Sequence, residues 1–109
     1  LAKNIKINNL LYLMKDSIEF DQIYAEFVKP FKDFDDKNNA DIFNTINTFV
    51  EMDGDYKKTA KVLYQHENTI RYRIMKAKKI LNMEESNLGF IEHISLAIKI
   101  NSIYESITN

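Results

Sequence analysis

Two glycines and one proline in 109 residues set the tightest limit on what this chain can fold into. A domain made of strands needs many turns, and turns draw on those two residues for their φ angles. Their scarcity argues for long helices joined by a few loops, and apolar spacing along the chain makes this an expected all-α domain of five to six helices. The length suits one domain over residues 1–109, and a core of this size needs no staple. No cysteine is present, so disulfides and thiolate metal sites are excluded. A reduced, cytoplasmic setting fits that composition. No apolar run approaches the ~18 residues of a membrane span, and no basic region precedes an apolar stretch as in a secretory signal. The chain begins at Leu1, not methionine, and is expected to be the C-terminal piece of a longer protein.

Apolar spacing divides the chain. Over Ile5 to Met14, Ile7, Leu10, Leu11 and Met14 fall at helical steps. Ser17 is a candidate N-cap for the next helix. There Phe20, Ile23, Tyr24, Phe27, Phe31 and Phe34 form an aromatic stripe, which reads as core. Pro30 interrupts it and predicts a break near Lys29. Asp35 to Ala40 is expected as a polar loop. Asp41 is expected to cap a helix with Ile42, Phe43, Ile46, Phe49 and Val50 inward. Gly54 should end that helix in the left-handed conformation, and Asp55 should cap the next.

Two short helices follow, from about Tyr56 to Tyr64 and from about Glu67 to Leu81. The first turns Ala60 and Leu63 inward; the second turns Ile70, Ile74, Ala77 and Leu81 inward, in steps of four, three and four. Such a pair, two or three residues apart, is the minimum of a helix-turn-helix. A last helix, about Leu88 to Ile107, is apolar over a wide arc and is expected to be a core helix or an interface with a partner.

Charge points the same way. The net charge is -1, which by itself argues against nucleic acid. Its distribution is uneven. Residues 16–55 carry eleven acids against three lysines, whereas residues 56–81 carry eight bases against Glu67 alone. Both arginines of the chain lie in that second segment. Segregation of this kind sets a positive field over one part of a surface. The plain alternative is a solvated charged face. In the second helix of such a pair, polar residues of the first turns meet base edges. Glu67, Asn68, Thr69, Arg71 and Tyr72 are the candidate base readers: asparagine can pair with adenine and arginine with guanine. Lys57, Lys58, His66, Arg73, Lys76 and Lys79 are the candidate phosphate contacts. For His66 a capping role, for Tyr72 a packing role at the core edge, and for Arg73 a bond to an acid of the helix that Asp41 caps are the alternatives.

The run Asn68-Thr69-Ile70-Arg71-Tyr72-Arg73, preceded by His66, resembles the His-Arg-Asn-Thr-Leu-Arg-Tyr-Arg signature of the PucR/CdaR-type bacterial transcription regulators, which lies in a C-terminal, Fis-like helix-turn-helix. Pro30-Phe31, Phe34-Asp35, Thr45-Ile46, Phe49-Val50, Gly54-Asp55, Thr59-Ala60 and Leu96-Ala97-Ile98 are similar to further elements of the family. The resemblance runs from about Leu10 to Ile100. It implies a DNA-binding effector domain for transcription regulation, preceded in the full chain by a sensor domain. Relatives respond to purine or sugar-acid catabolism and similar signals.

Three positions depart from the pattern. The family usually has glycine where Tyr64 stands. A positive φ there would cost tyrosine about 1–2 kcal/mol, unless the turn is remodelled. Gln65 replaces an apolar turn residue. Glu67 replaces an arginine: its carboxylate suits a helix N-terminus, repels phosphate, and could accept from a cytosine amino group. A homodimer on paired half-sites is the expected assembly. The alternative is a non-catalytic helical protein-interaction module that has lost DNA reading. Catalysis is not expected: Asp33, Asp35 and Asp36 read as solvated, and no phosphate loop or catalytic triad appears. No cofactor is expected. His66 and His93, isolated from each other and from carboxylate clusters, do not make a metal site.

Overall fold

The computed structural model describes residues 2–108, with side chains from residue 7 onward. Among the described residues seven helices and no strand occur: α1 (Ala2–Leu13), α2 (Ile18–Phe27), α3 (Lys29–Asn38), α4 (Ile42–Glu51), α5 (Tyr56–Leu63), α6 (Glu67–Ile80) and α7 (Asn87–Thr108). The all-α class stands. The count exceeds six because Pro30 divides the aromatic stripe into two helices. The break falls at Val28, and Pro30 occupies the first turn of α3, where its missing amide donor costs no helical bond. The helix expected from Ile5 begins earlier, within α1; the Ile5 side chain lies outside those described, as does Leu1. Among the described side chains of α1 only Leu11 is buried, while Ile7 and Leu10 face solvent.

The 22-residue α7 is the spine, about 33 Å long at 1.5 Å per residue. Its first half sends Phe90 and Ile94 into a core with Phe31, Ile42, Ile46, Phe49, Ala60, Ile70, Ile74 and Ala77. Its second half sends Ala97 and Ile100 into a smaller cluster with Leu11, Phe20 and Val28. Phe43 packs against both. The wide apolar arc of α7 is therefore largely spent inside the molecule, against α2, α4 and α1.

The segment 35–38 is not the polar loop expected from its composition. It is the last turn of α3, which ends on Asn39 in the left-handed conformation (φ 49°). Phe31 and Phe34 anchor α3 in the core, and that burial outweighs the weak helix propensity of Asp and Asn. Asp33, Asp35 and Asp36 are thus helical. Asp35 also takes the capping role expected of Asp41. Its carboxylate oxygens accept from the amides of Ile42 and Phe43 at 2.8 and 2.9 Å, while the Asp41 side chain makes no cap bond. Asp41 instead uses its backbone carbonyl, which accepts from Thr45 Oγ1 at 2.6 Å. The helix expected to end on Gly54 stops earlier, at Glu51. Asp53 and Gly54 then both adopt positive φ, 56° and 75°, and the Gly54 amide closes on the Phe49 carbonyl at 2.8 Å.

Candidate nucleic-acid interface

The α5–α6 pair begins with a side-chain cap. Asp55 accepts from the Lys58 amide at 2.9 Å. Thr59 and Ala60 form the buried face of α5, and the Thr59 hydroxyl is satisfied by the Asp55 carbonyl at 2.7 Å. The opposite face carries Lys57, Lys58 and Lys61, all exposed. The turn is three residues, Tyr64, Gln65 and His66. Tyr64 sits at φ 55°, left-handed, so the conformation favoured by glycine is kept with a tyrosine in it. Its side chain is 92% exposed and gains no packing in return. Gln65 is exposed, and its amide donates to the Ala60 carbonyl at 3.0 Å. His66 caps α6: Nδ1 accepts from the Asn68 amide at 3.3 Å. That bond leaves the proton of the neutral ring on Nε2, which remains a donor.

At 100° per residue, the buried stripe Ile70, Ile74, Ala77 fixes the direction of every other side chain on α6. Asn68, Tyr72, Met75 and Lys79 lie opposite it and are exposed; Tyr72 is 61% exposed. On one flank, Thr69, Tyr72, Arg73 and Lys76 line a cleft of about 510 Å³ against Phe34, Asn38, Asn39 and the start of α4. Lys76 Nζ lies 5.4 Å from the Phe34 ring centre. On the other flank Glu67 and Arg71 face α5. Arg71 Nε and Nη2 donate to Glu67 Oε2 at 3.1 and 2.8 Å, and the guanidinium carbon lies 4.2 Å from the Tyr56 ring centre.

The expected site residues therefore separate. The first-turn and solvent-facing positions Asn68, Tyr72 and Lys79 share one exposed surface with Met75, and Arg71 borders it. Lys57 and Lys58 extend the exposed basic surface along α5. Arg73 turns inward: its side chain is 20% exposed, Nη1 donates to Thr45 Oγ1 at 3.1 Å and lies 3.7 Å from the Asp41 carboxylate. Arg73 thus meets an acid at the start of α4, the helix whose acids were one of its two expected partners. Glu67 is engaged with Arg71 and Thr69 with the cleft wall.

Two participants escaped sequence reasoning. Thr45 is fully buried and accepts from Arg73. Tyr56 supplies the ring under Arg71. Asp41, by contrast, is one of the acids already open to Arg73, and it is the ion-pair partner found. Thr45 could have been found: a threonine in an apolar helical face, four residues after Asp41, can bond back to that carbonyl. The Tyr56–Arg71 contact joins two helices across a turn, and no local spacing announces it.

His93, outside this surface, stacks on Phe27 with ring centres 4.3 Å apart and meets Phe31 edge-on. Its Nε2 is buried without a partner. Burial holds its pKa below the ordinary 6.5, against the opposing pull of the Phe27 carbonyl and Glu26. Among the described residues no three His, Asp or Glu side chains come together as metal ligands would. No helix among them is long and apolar enough to cross a membrane.

No curated protein and no solved structure matches the chain. One family model does, over residues 42–100, which takes in α4, the α5–α6 pair and most of α7. That match spans more than half of the sequence and includes the capped helix pair with its three-residue turn. The chain belongs to the PucR C-terminal helix-turn-helix domain family.

Proposed function

We propose that this chain binds duplex DNA sequence-specifically and is the C-terminal effector domain of a cytoplasmic bacterial transcription regulator, acting without catalysis. The observation that carries the reading is the exposed surface of α6. A helix-turn-helix presents one helix to the major groove through the face opposite its core stripe. Here that face offers an amide at Asn68, a phenol at Tyr72 and an ammonium at Lys79, with the Arg71 guanidinium at its edge. These groups can bond base edges or phosphates. Lys57, Lys58, Lys76 and the Nε2 donor of His66 surround them as phosphate contacts. Arg73 acts indirectly, by tying α6 to α4. A homodimer on paired half-sites would supply the affinity that one such helix lacks, with a sensor domain upstream controlling it.

The competing reading, a helical protein-interaction module that no longer reads DNA, draws support from the two arginines, both of which are already paired with acids. Selection of bound duplexes from a randomised pool separates the two. The DNA reading predicts enrichment of a short motif, lost in Asn68→Ala. An interaction module retains no duplex, even at low salt, and that result would sink the proposal.

A further inference from the structure

The arrangement of Glu67, Arg71 and Tyr56 carries a specificity assignment that rests on the DNA-binding reading above. Arginine has five N–H donors: one on Nε and two on each Nη. Glu67 Oε2 takes one from Nε and one from Nη2. What remains is the end-on edge, both hydrogens of Nη1 and the second of Nη2. Those two nitrogens form the fork that fits O6 and N7 of guanine in the major groove. The plane of the fork is held as well, since the guanidinium lies over the Tyr56 ring at 4.2 Å and the side chain is still 54% exposed. Arg73, the other arginine, has no such freedom, because its Nη1 is committed to Thr45 within the fold.

We infer that Glu67 is a positioning residue, and that with Tyr56 it presents the open fork of Arg71 to a guanine. Glu67 is thereby not itself a base reader. Its carboxylate is paired with Arg71, and it converts a mobile cation, which would bind any phosphate, into an oriented one. An unpaired arginine at the same place adds affinity for all sequences; a clamped one adds discrimination.

The test compares wild type with Glu67→Ala, Glu67→Gln and Arg71→Lys in two assays. One is selection from a randomised duplex pool; the other is affinity for a mixed-sequence duplex at low salt. In the wild type one position of the selected motif is guanine. Glu67→Ala lowers the preference at that position about tenfold, within the range of one bidentate pair. It leaves the other positions unchanged and binds the mixed-sequence duplex as well as or better than wild type. Glu67→Gln keeps an uncharged acceptor for Arg71 and falls between the two. Arg71→Lys loses the same position, since an ammonium is a point charge without a fork. The inference is overturned if Glu67→Ala keeps the guanine preference, or weakens all positions equally. A wild type that binds the mixed-sequence duplex but shows no Arg71-dependent guanine overturns it too. A wild type that binds no duplex at all removes the DNA-binding reading itself, and this inference with it.

Discussion

Tyr64 holds a left-handed backbone at φ 55° with its side chain in solvent. The conformation costs a residue with Cβ about 1–2 kcal/mol, and nothing packs on the ring to offset it. Glycine removes that cost but adds about 0.4–1 kcal/mol of chain entropy to the unfolded state. Tyr64→Gly should therefore stabilise the fold by about 0.5–1 kcal/mol, read as a higher urea midpoint at unchanged slope; a lower midpoint would show that the turn is not strained. Asp35 makes the opposite case. One carboxylate satisfies two amides at the start of α4. Asp35→Ala leaves both donors without it, and we expect a loss of about 2 kcal/mol in the same unfolding measurement. Asp41→Ala, which removes no cap bond, should cost clearly less.

Helices were the most legible scale in the sequence. The α5–α6 pair follows from apolar steps and from the Gly54-Asp55 signal, and the observed Tyr56–Leu63 and Glu67–Ile80 differ from expectation only at their ends. What could not be read was how chain-distant groups meet. Asp35 reads as loop because aspartate, lysine and asparagine crowd around it; the burial of Phe31 and Phe34, a tertiary effect, decides for helix. Within α6 the candidate residues can be read but not which partners hold them: that Glu67 and Tyr56 hold Arg71 while Thr45 and Asp41 hold Arg73 appears only once α4 and α5 take their places beside the helix.

The packing of α7 against α2 and α3 also has a pH signature. His93 takes a proton less readily in the folded chain than its ordinary pKa of 6.5 implies. Above that pH both states leave it neutral, and it contributes no pH dependence. As pH falls below about 6.5 the unfolded chain binds more protons, so stability declines until the folded histidine titrates as well. His93→Phe keeps a ring against Phe27 and removes the titration. The drop in unfolding free energy between about pH 7.5 and pH 5.5 should be smaller in that variant than in wild type. Equal drops would mean that His93 is solvated in the folded state.

At the scale of the molecule, a chain of net charge -1 concentrates its bases on α5 and α6 and its acids on the segments before them. The fold keeps that segregation at the surface for the lysines: Lys57, Lys58, Lys61 and Lys79 are exposed. It spends Arg73 on internal order and holds Arg71 at the surface. Binding should thus rest on lysine–phosphate contacts for affinity, and on Asn68, Arg71 and Tyr72 for sequence. The salt dependence of affinity for a mixed-sequence duplex, followed by fluorescence anisotropy, tests this most directly. Each neutralised phosphate contributes about -0.9 to the slope of log K against log salt. With Lys57, Lys58, Lys76 and Lys79 engaged, the slope should be about -4. Lys79→Ala should flatten it by about one unit, while Lys99→Ala, on α7, should leave it unchanged. A chain that shows no salt-dependent binding, or a slope that responds to Lys99 and not to Lys79, would contradict the account.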